Sequence, residues 1–473
     1  MANLRPEAGL AAPAAISTSF PIRQSGAFER AASLVAVSFG VCMVQLDVMI
    51  VTVALDQIRS LTPGNVSGLQ WVVNSYTLAF AGFLLTGGAL GDRFGAKRIY
   101  TAGLWLFVLA SVVCGLAPSG LVLVAARALQ GAGAALLLPT SLALIVHAYP
   151  HPGERARAIG IWGAAGGLAM AGGPVVGGLL LSAFGWRSIF LVNLPVGLFA
   201  LALTARFTVP VEGHRGRSLD LLGQILAIVL LIALTATIIE GAPLGWTNPA
   251  ILVGLTVFVL ATAAFLMVEM HGHAPMLPLQ LFRHPVFAAA TLIGCVNNAA
   301  YYGTTFILSL YFRNQLGMSA LDTGLAFVPM TGLIAIINVL VGRMAAHTGT
   351  RLPIVIGFVM ASLGYGAFAW QIGPQAHYAD LWWTLLLMGS GTAFVVPPMI
   401  AALVGTVERA NAGIASGVLN ALRQTGGAVG VAVFGVAAGD TSVAGMRVAL
   451  LIACAAGLAA AAIALVFMPS RKA

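Results

Sequence analysis

Residues 44–55 read VQLDVMIVTVAL, inside an apolar run that extends from about Ala31 to Ile58. A run of that length crosses a bilayer as one helix, since roughly 20 apolar residues are enough. Near its middle sits a carboxylate, Asp47. A charge at bilayer depth costs about 2.5–3.5 kcal/mol on insertion scales and marks a pathway for ions or substrate. The fold follows from the run, and the function turns on the carboxylate.

The rest of the chain has the same character. Of its 473 residues, 59% are hydrophobic and only 8% charged, with a mean hydropathy of +0.97. Soluble domains carry about 25% charged residues, so this composition defines an integral membrane protein. The net charge of +9 is spread over short loops rather than gathered in a tract, which excludes a nucleic-acid partner and points to membrane orientation. Cys42, Cys114, Cys295 and Cys454 all fall within apolar runs and read as small buried residues, without disulfide or metal spacing. The eight histidines fall in loops or at helix ends, and HGH at 271–273 reads as a solvated loop. No nucleophile motif, Walker loop or dinucleotide fingerprint is present, so neither enzyme chemistry nor a cofactor or metal is expected. Residues 1–30 are polar and Pro/Ala-rich, with Arg5, Arg23 and Arg30, and the run behind them is too long for a cleaved signal. The first span is therefore expected to be a retained anchor.

Apolar windows bounded by charges or Pro/Gly turns fall at 31–58, 68–91, 98–117, 120–146, 155–183, 187–206, 219–241 and 248–269. Further windows fall at 286–312, 320–345, 352–372, 380–404, 411–437 and 444–468. These fourteen windows are too long and uniformly apolar for barrel strands, so an all-α membrane protein with fourteen transmembrane helices is expected. One set of alternate loops holds Arg93, Lys97, Arg98, Arg155, Arg157, Arg215, Arg217, Arg283, Arg343, Arg351 and Arg409. The other holds little beyond Arg59, Arg187, Arg313 and Arg447. The excess of positive charge on the inner side then puts both termini in the cytoplasm, in a multi-pass protein of the cytoplasmic (inner) membrane.

The chain also repeats itself. GAGAALLLP at 131–139 is echoed by GSGTAFVVP at 389–397, and GALGDRFGAK at 88–97 by GRMAAHTGTR at 342–351, offsets of about 254 to 258 residues. Two six-helix halves with an extra helix pair between them produce this pattern, and such transporters bind substrate where the halves meet. The expected organisation is a tail at 1–30, a bundle at 31–206, two additional helices at 207–270, a second bundle at 271–468 and a tail at 469–473.

Three ionisable groups lie deep in spans: Asp47, Arg127 and Arg423. Asp47 is about ten residues, and Arg127 about seven, from the outer ends of their spans, similar depths at about 1.5 Å per residue. A pair is geometrically possible. Burial disfavours an ionised carboxylate and a nearby guanidinium favours it, so a group held between them could load and release a proton as helices move. A static buried pair that fixes helix packing is the alternative. Arg423 and Asn420 on one span, with Asn297, Asn298, Tyr301 and Tyr302 on another, form a candidate substrate cavity or, alternatively, ordinary interhelical hydrogen bonds. In the span around GIWGAAGGLAMAGGPVVGG, Gly173 and Gly177 flank Pro174 at GxxxG spacing, which allows close helix approach and a kink. The span with Gly413, Gly417, Gly426, Gly427 and Gly430 is its counterpart. Smooth helices at matching places suit a rocking contact, and tight static packing explains them as well.

The chain resembles the major facilitator superfamily, in particular its fourteen-span drug:proton antiporter branch, over residues 31–468. GALGDRFGAKR is similar to the superfamily's loop motif through Gly88, Leu90, Asp92, Arg93, Gly95 and Lys97, with Ala96 in place of a usual basic residue. RALQGAGAALLLP is similar to the fourth-helix motif through Arg127, Gln130, Gly131 and Gly133. GGPVVGG, with Gly173, Pro174, Gly177 and Gly178, resembles the fifth-helix motif of antiporters, Ala169 replacing its upstream glycine. WRSIFLVNLPVG and LDVMIVTVAL resemble the fourteen-span branch, with Thr52 where asparagine is common. The resemblance implies export of a cytoplasmic compound in exchange for external protons, by alternating access of two halves. It implies Asp47 as proton carrier, Arg127 as its helper, and Asp92, Arg93 and Lys97 in a cytoplasmic gate. Glu240 and Glu269 lie at span ends, which leaves Asp47 as the deep carboxylate; neutral, monocationic or weakly anionic lipophilic cargo is expected. The expected partners are a small lipophilic substrate, protons and the lipid bilayer, for a monomer. Competing readings are a dedicated exporter of one endogenous metabolite or natural product and a membrane sensor that has lost transport.

Overall fold

The computed structural model describes residues 27–61, 66–210, 213, 220–272, 276–373, 375–408, 412–439 and 442–470. Most of both expected tails, the loop cations Arg215, Arg217 and Arg409, and His214 and His273 lie outside these residues.

Helix follows helix, because a backbone in hydrocarbon must satisfy its own polar groups. The order is α1 (Ala27–Ile58), α2 (Val66–Phe94), α3 (Ala96–Gly115), α4 (Gly120–Ala148), α5 (Pro152–Phe184), α6 (Ser188–Leu191) and α7 (Asn193–Phe207). Next come α8 (Leu221–Leu244), α9 (Pro249–His271), α10 (Pro285–Asn314), α11 (Ala320–Ala326), α12 (Val328–Thr331) and α13 (Ile334–Thr348). The chain ends with α14 (Arg351–Gln371), α15 (Tyr378–Val404), α16 (Ala412–Ala438) and α17 (Val443–Phe467). Among the described residues the only β-pairing is an isolated bridge between Gly349 and Ser470.

Each apolar window becomes helix within a few residues of its expected bounds, but two are broken. The window at 187–206 divides at Val192, and that at 320–345 divides into α11, α12 and α13. Pro195 explains the break at Val192 and Pro329 the one at Phe327, since each lacks the N–H that would bond the carbonyl four residues back. Among the described residues, thirteen of the helical stretches are long and apolar enough to cross a membrane. The exception, α10, has 30 residues but carries Asn297, Asn298, Tyr301, Tyr302, Thr304 and Thr305 in its centre. A helix that polar needs neighbours on every side, and α10 packs against α15, α16 and α17 and touches α1.

Contacts run mainly within α1–α7 and within α10–α17, with α8 and α9 paired beside them. The two GxG sequences do parallel jobs. A Cβ on Gly131 of α4 would strike the Tyr76 backbone of α2, and one on Gly133 would come 2.8 Å from Phe107 N of α3. A Cβ on Gly389 of α15 would strike the Met330 backbone of α12, and one on Gly391 would come 2.6 Å from Ala361 N of α14. In each group one helix is thus gripped on two sides through glycine. The 88–97 and 342–351 echo shows no such parallel, since Gly342 has open space where Gly88 faces Pro139.

Candidate functional site

Arg127 and Gln130, one turn apart on α4, share a face that meets Asp47 of α1. The Arg127 guanidinium forms an ion pair with Asp47 Oδ2. Its Nη1 also donates to Gln130 Oε1 at 2.7 Å, and its Nε to the Val72 carbonyl of α2 at 3.2 Å. Gln130 Nε2 donates to Asp47 Oδ1 at 2.7 Å and to Ser111 Oγ of α3 at 2.8 Å. Asn193 Nδ2 reaches the same two acceptors at 3.2 and 3.3 Å, from the first residue of α7 just past the Val192 break. Ser111 in turn donates to the Phe107 carbonyl at 2.7 Å. The guanidinium lies 4.2 Å from the Tyr76 ring centroid, a cation–π contact. Asp47 and Arg127 are 0% and 1% exposed, so this is a sealed polar cluster drawn from five helices, with three donors aimed at one carboxylate.

Sequence reasoning named Asp47 and Arg127 but passed over Ser111 and Asn193 and took Gln130 only as a motif residue. Neutral polar side chains are common in spans. The available signal was the LVNLP stretch, where a proline two residues after an asparagine forces the break that exposes Asn193 to the cluster. Two residues beyond Arg127's partner Val72 lies Asn74, fully buried with neither amide atom hydrogen-bonded.

The cavity candidates separate into two groups. Arg423 Nε donates to Asn298 Oδ1 at 3.3 Å and Nη1 to Asn420 Oδ1 at 3.4 Å. Tyr302 is within electrostatic reach of Arg423 and, across to the other group of helices, of Tyr76. Tyr301 stands edge-on to Tyr302 at 5.4 Å but turns into the apolar core, within electrostatic reach of Tyr365. Asn297 is buried with its Nδ2 unpartnered. The structure therefore brings Asn298, Tyr302, Asn420 and Arg423 together, while Tyr301 stands apart.

The glycines of α5 divide between two neighbours. Cβ atoms on Gly173 and Gly177 would come 2.6 Å from Met49 Cβ and 2.8 Å from Ile50 Cγ1 of α1. One on Gly178 would come 2.8 Å from the Ala320 carbonyl oxygen of α11, and the Pro174 carbonyl abuts Gly324 of α11. In α16, Gly426 and Gly430 press on Cys295 and Ala299 of α10 within their own group, whereas Gly417 faces Leu85 of α2. Further contacts join the groups. Gln70 Nε2 of α2 donates to the Val431 and Ala432 carbonyls of α16 at 3.0 and 2.8 Å. Ser309 of α10 donates to the Thr52 carbonyl of α1, and Arg313 pairs with Asp56 at 2.8 Å. Helix α8 is stitched to α2 at both ends, by Trp71 donating to Glu240 at 2.8 Å and Gln224 donating to the Gly82 carbonyl at 2.6 Å.

In the loop motif, Gly95 takes φ 95° at the start of α3, a conformation that glycine adopts freely. Lys97 Nζ donates to the Thr208 and Ala205 carbonyls at 2.6 and 3.2 Å. A cation is thereby placed on the negative end of α7. The Arg93 guanidinium lies over Phe94, and Asp92 is exposed. Gly88 sits against Pro139.

A polytopic helical membrane protein with a sealed ion pair beside the contact of two helix groups is the class that these features define. The family model described as Major Facilitator Superfamily matches residues 37–431. The "Methylenomycin A resistance protein" of Streptomyces coelicolor is 38% identical over 412 residues, 86% of each chain. The "Multidrug resistance protein Stp" of Mycobacterium tuberculosis is 40% identical over 404 residues, 85% of this chain and 75% of that one. The crystal structure of a bacterial homolog to the human lysosomal transporter Spinster, 16% identical, superposes with a TM-score of 0.68 over 93% of this chain and 97% of that one, a likeness of fold. The chain belongs to the Major Facilitator Superfamily.

Proposed function

We propose that this chain exports lipophilic drugs or other small amphipathic compounds across the cytoplasmic membrane in exchange for protons, as a member of the superfamily's fourteen-span branch. Its family membership and the resistance functions in the names of its relatives support export. The observation that carries proton exchange is the buried Asp47 cluster. Helix α10 is the fourteenth span, its polar centre screened by its neighbours. Both termini lie in the cytoplasm, and α1–α7 and α10–α17 form the two bundles that rock against each other.

On that orientation the Asp56–Arg313 pair and the Ser309–Thr52 contact close the external side. Every hydrogen-bonding neighbour of the Asp47 carboxylate is a donor. A proton arriving there faces an N–H and needs the cluster to open, so loading is tied to a movement of α4 or α7 relative to α1. Only a difference in binding between two conformations can drive such coupling. Lys97 and its α7 carbonyls, with Asp92 and Arg93, act at the cytoplasmic ends of the helices.

Cells that lack their own exporters but express the chain are expected to accumulate less of a lipophilic fluorescent dye, and a protonophore to abolish the difference. Equal accumulation with and without the chain overturns the reading. The second reading is a dedicated exporter of one compound, favoured by the single compound in the name of the Streptomyces relative; export of one dye class alone would select it.

A further inference from the structure

We infer that Arg423 is the docking point for the acidic headgroup of the exported compound, which makes the preferred cargo an amphipathic organic monoanion, above all a lipophilic carboxylate. The inference rests on the export reading and specifies its substrate class.

Arg423 lies near the middle of α16 (Ala412–Ala438). Its depth, about 16 Å from the helix start at about 1.5 Å per residue, puts a lipid headgroup out of reach. Yet among the described residues its charge has no counter-ion: no carboxylate forms an ion pair with it. Nor do the described residues of its own half offer one: the acids among them after residue 285 are Asp322 and Asp380, in the first turns of α11 and α15, and Glu408, past the end of α15. Asp47, the deep carboxylate of the other half, is already engaged by Arg127, Gln130 and Asn193.

What Arg423 does have is a pair of amide oxygens at 3.3 and 3.4 Å. Those distances are long beside the roughly 2.7–2.9 Å of charge-assisted hydrogen bonds. Two long bonds from neutral acceptors position a guanidinium without neutralising it. An intramembrane cation left in that state belongs to a substrate pathway.

The surroundings suit an amphipathic ligand. Gly294 of α10 makes room for the arginine stem, since a Cβ there would come 2.9 Å from Arg423 Cγ, 3.0 Å from Met399 Sδ and 3.1 Å from Leu419 Cδ1. Apolar groups therefore line the arginine stem behind the charged end. Tyr302, packed on Gly427, supplies an aromatic wall that also lies within electrostatic reach of Tyr76 beside Arg127. A guanidinium presents a planar fork that takes a carboxylate through two parallel hydrogen bonds, which neither asparagine could provide. The deep cation on the first half cannot do the same, because Asp47 already occupies it.

The test uses three pyrene probes of one shape: pyrenebutyrate, its neutral primary amide and a pyrenebutyl ammonium. Binding to the full-length protein in lipid nanodiscs is read by energy transfer from its tryptophans. Wild type is expected to bind the carboxylate at least about tenfold more tightly than the amide, the scale of a charged hydrogen bond. In Arg423→Gln that ratio falls to about one, while Arg423→Lys, a point charge without the fork, keeps part of it. Gly294→Ala, which displaces the stem but keeps the charge, weakens the carboxylate several-fold and spares the amide. The inference is overturned if wild type shows no preference for the carboxylate, or if the preference survives in Arg423→Gln. An equal loss for all three probes overturns it too, since that marks a structural role. Dye export by wild-type cells decides the export reading separately, so the two failures are distinguishable.

Discussion

Two arginines sit deep in this molecule, one in each group of helices, and their surroundings are opposite. Arg127 is sealed, paired with a carboxylate, bonded to a glutamine and a backbone carbonyl and covered by an aromatic ring. Arg423 is half-buried, and among the described residues it donates only to two amide oxygens at long range and meets no acid of its half. A guanidinium bound on every side is a part of the protein. One left with spare donors in a water-poor setting is an offer to something that arrives. On this account the first half handles the proton and the second half handles the cargo.

The sharpest way to break that contrast is to remove each charge in turn. Arg127→Met strands Asp47 in a buried site and is expected to cost about 3–5 kcal/mol, as loss of one partner of a buried pair does. Thermal unfolding of the purified protein in detergent checks it. The same change at position 423 removes a charge that has no partner, so Arg423→Met should leave the unfolding temperature unchanged or raise it. Equal destabilisation by both variants would erase the distinction.

A smaller effect is expected at the contact between the groups. Gly178→Val places a branched side chain against the Ala320 carbonyl, where even a Cβ would come within 2.8 Å. Overpacking of that kind costs about 1–3 kcal/mol. Because the strain falls where α5 meets α11, transport should fall further than stability, as dye efflux and unfolding measured on one preparation would show. Removing one donor from the cluster is milder. Asn193→Ala leaves Gln130 and Arg127 on Asp47 and should cost about 1 kcal/mol, with the pH dependence of transport altered although no charge has changed. The Asp56–Arg313 pair is partly exposed, so Asp56→Asn should change stability by less than about 1 kcal/mol, visible in conformational rates more than in unfolding.

Most helices could be read directly, because hydrocarbon leaves the backbone no choice but to bond to itself. Helix α10 shows both the strength and the limit of that reading. Its window was legible from length, although Asn297 to Thr305 make it less apolar than every other long helix. The breaks at Val192 and Phe327 are not legible in hydropathy, which records side chains and not the single N–H that a proline lacks. In the site, ionisable residues stand out in an apolar span, so Asp47, Arg127 and Arg423 are legible in the sequence. Ser111 and Asn193 do not stand out, because a neutral polar group in a span is ordinary until a neighbour from another helix gives it a partner. Tyr301 and Tyr302 are adjacent in sequence, and only the packing of α10 against α16 turns one to the core and the other to Arg423.

The most direct measurement uses inverted membrane vesicles carrying an imposed proton gradient, with wild type compared to Asp47→Asn. Addition of a transported lipophilic compound to wild-type vesicles should release protons from the lumen, and the variant, in which position 47 cannot ionise, should release none. Equal release from both would leave Asp47 a structural residue and contradict the account.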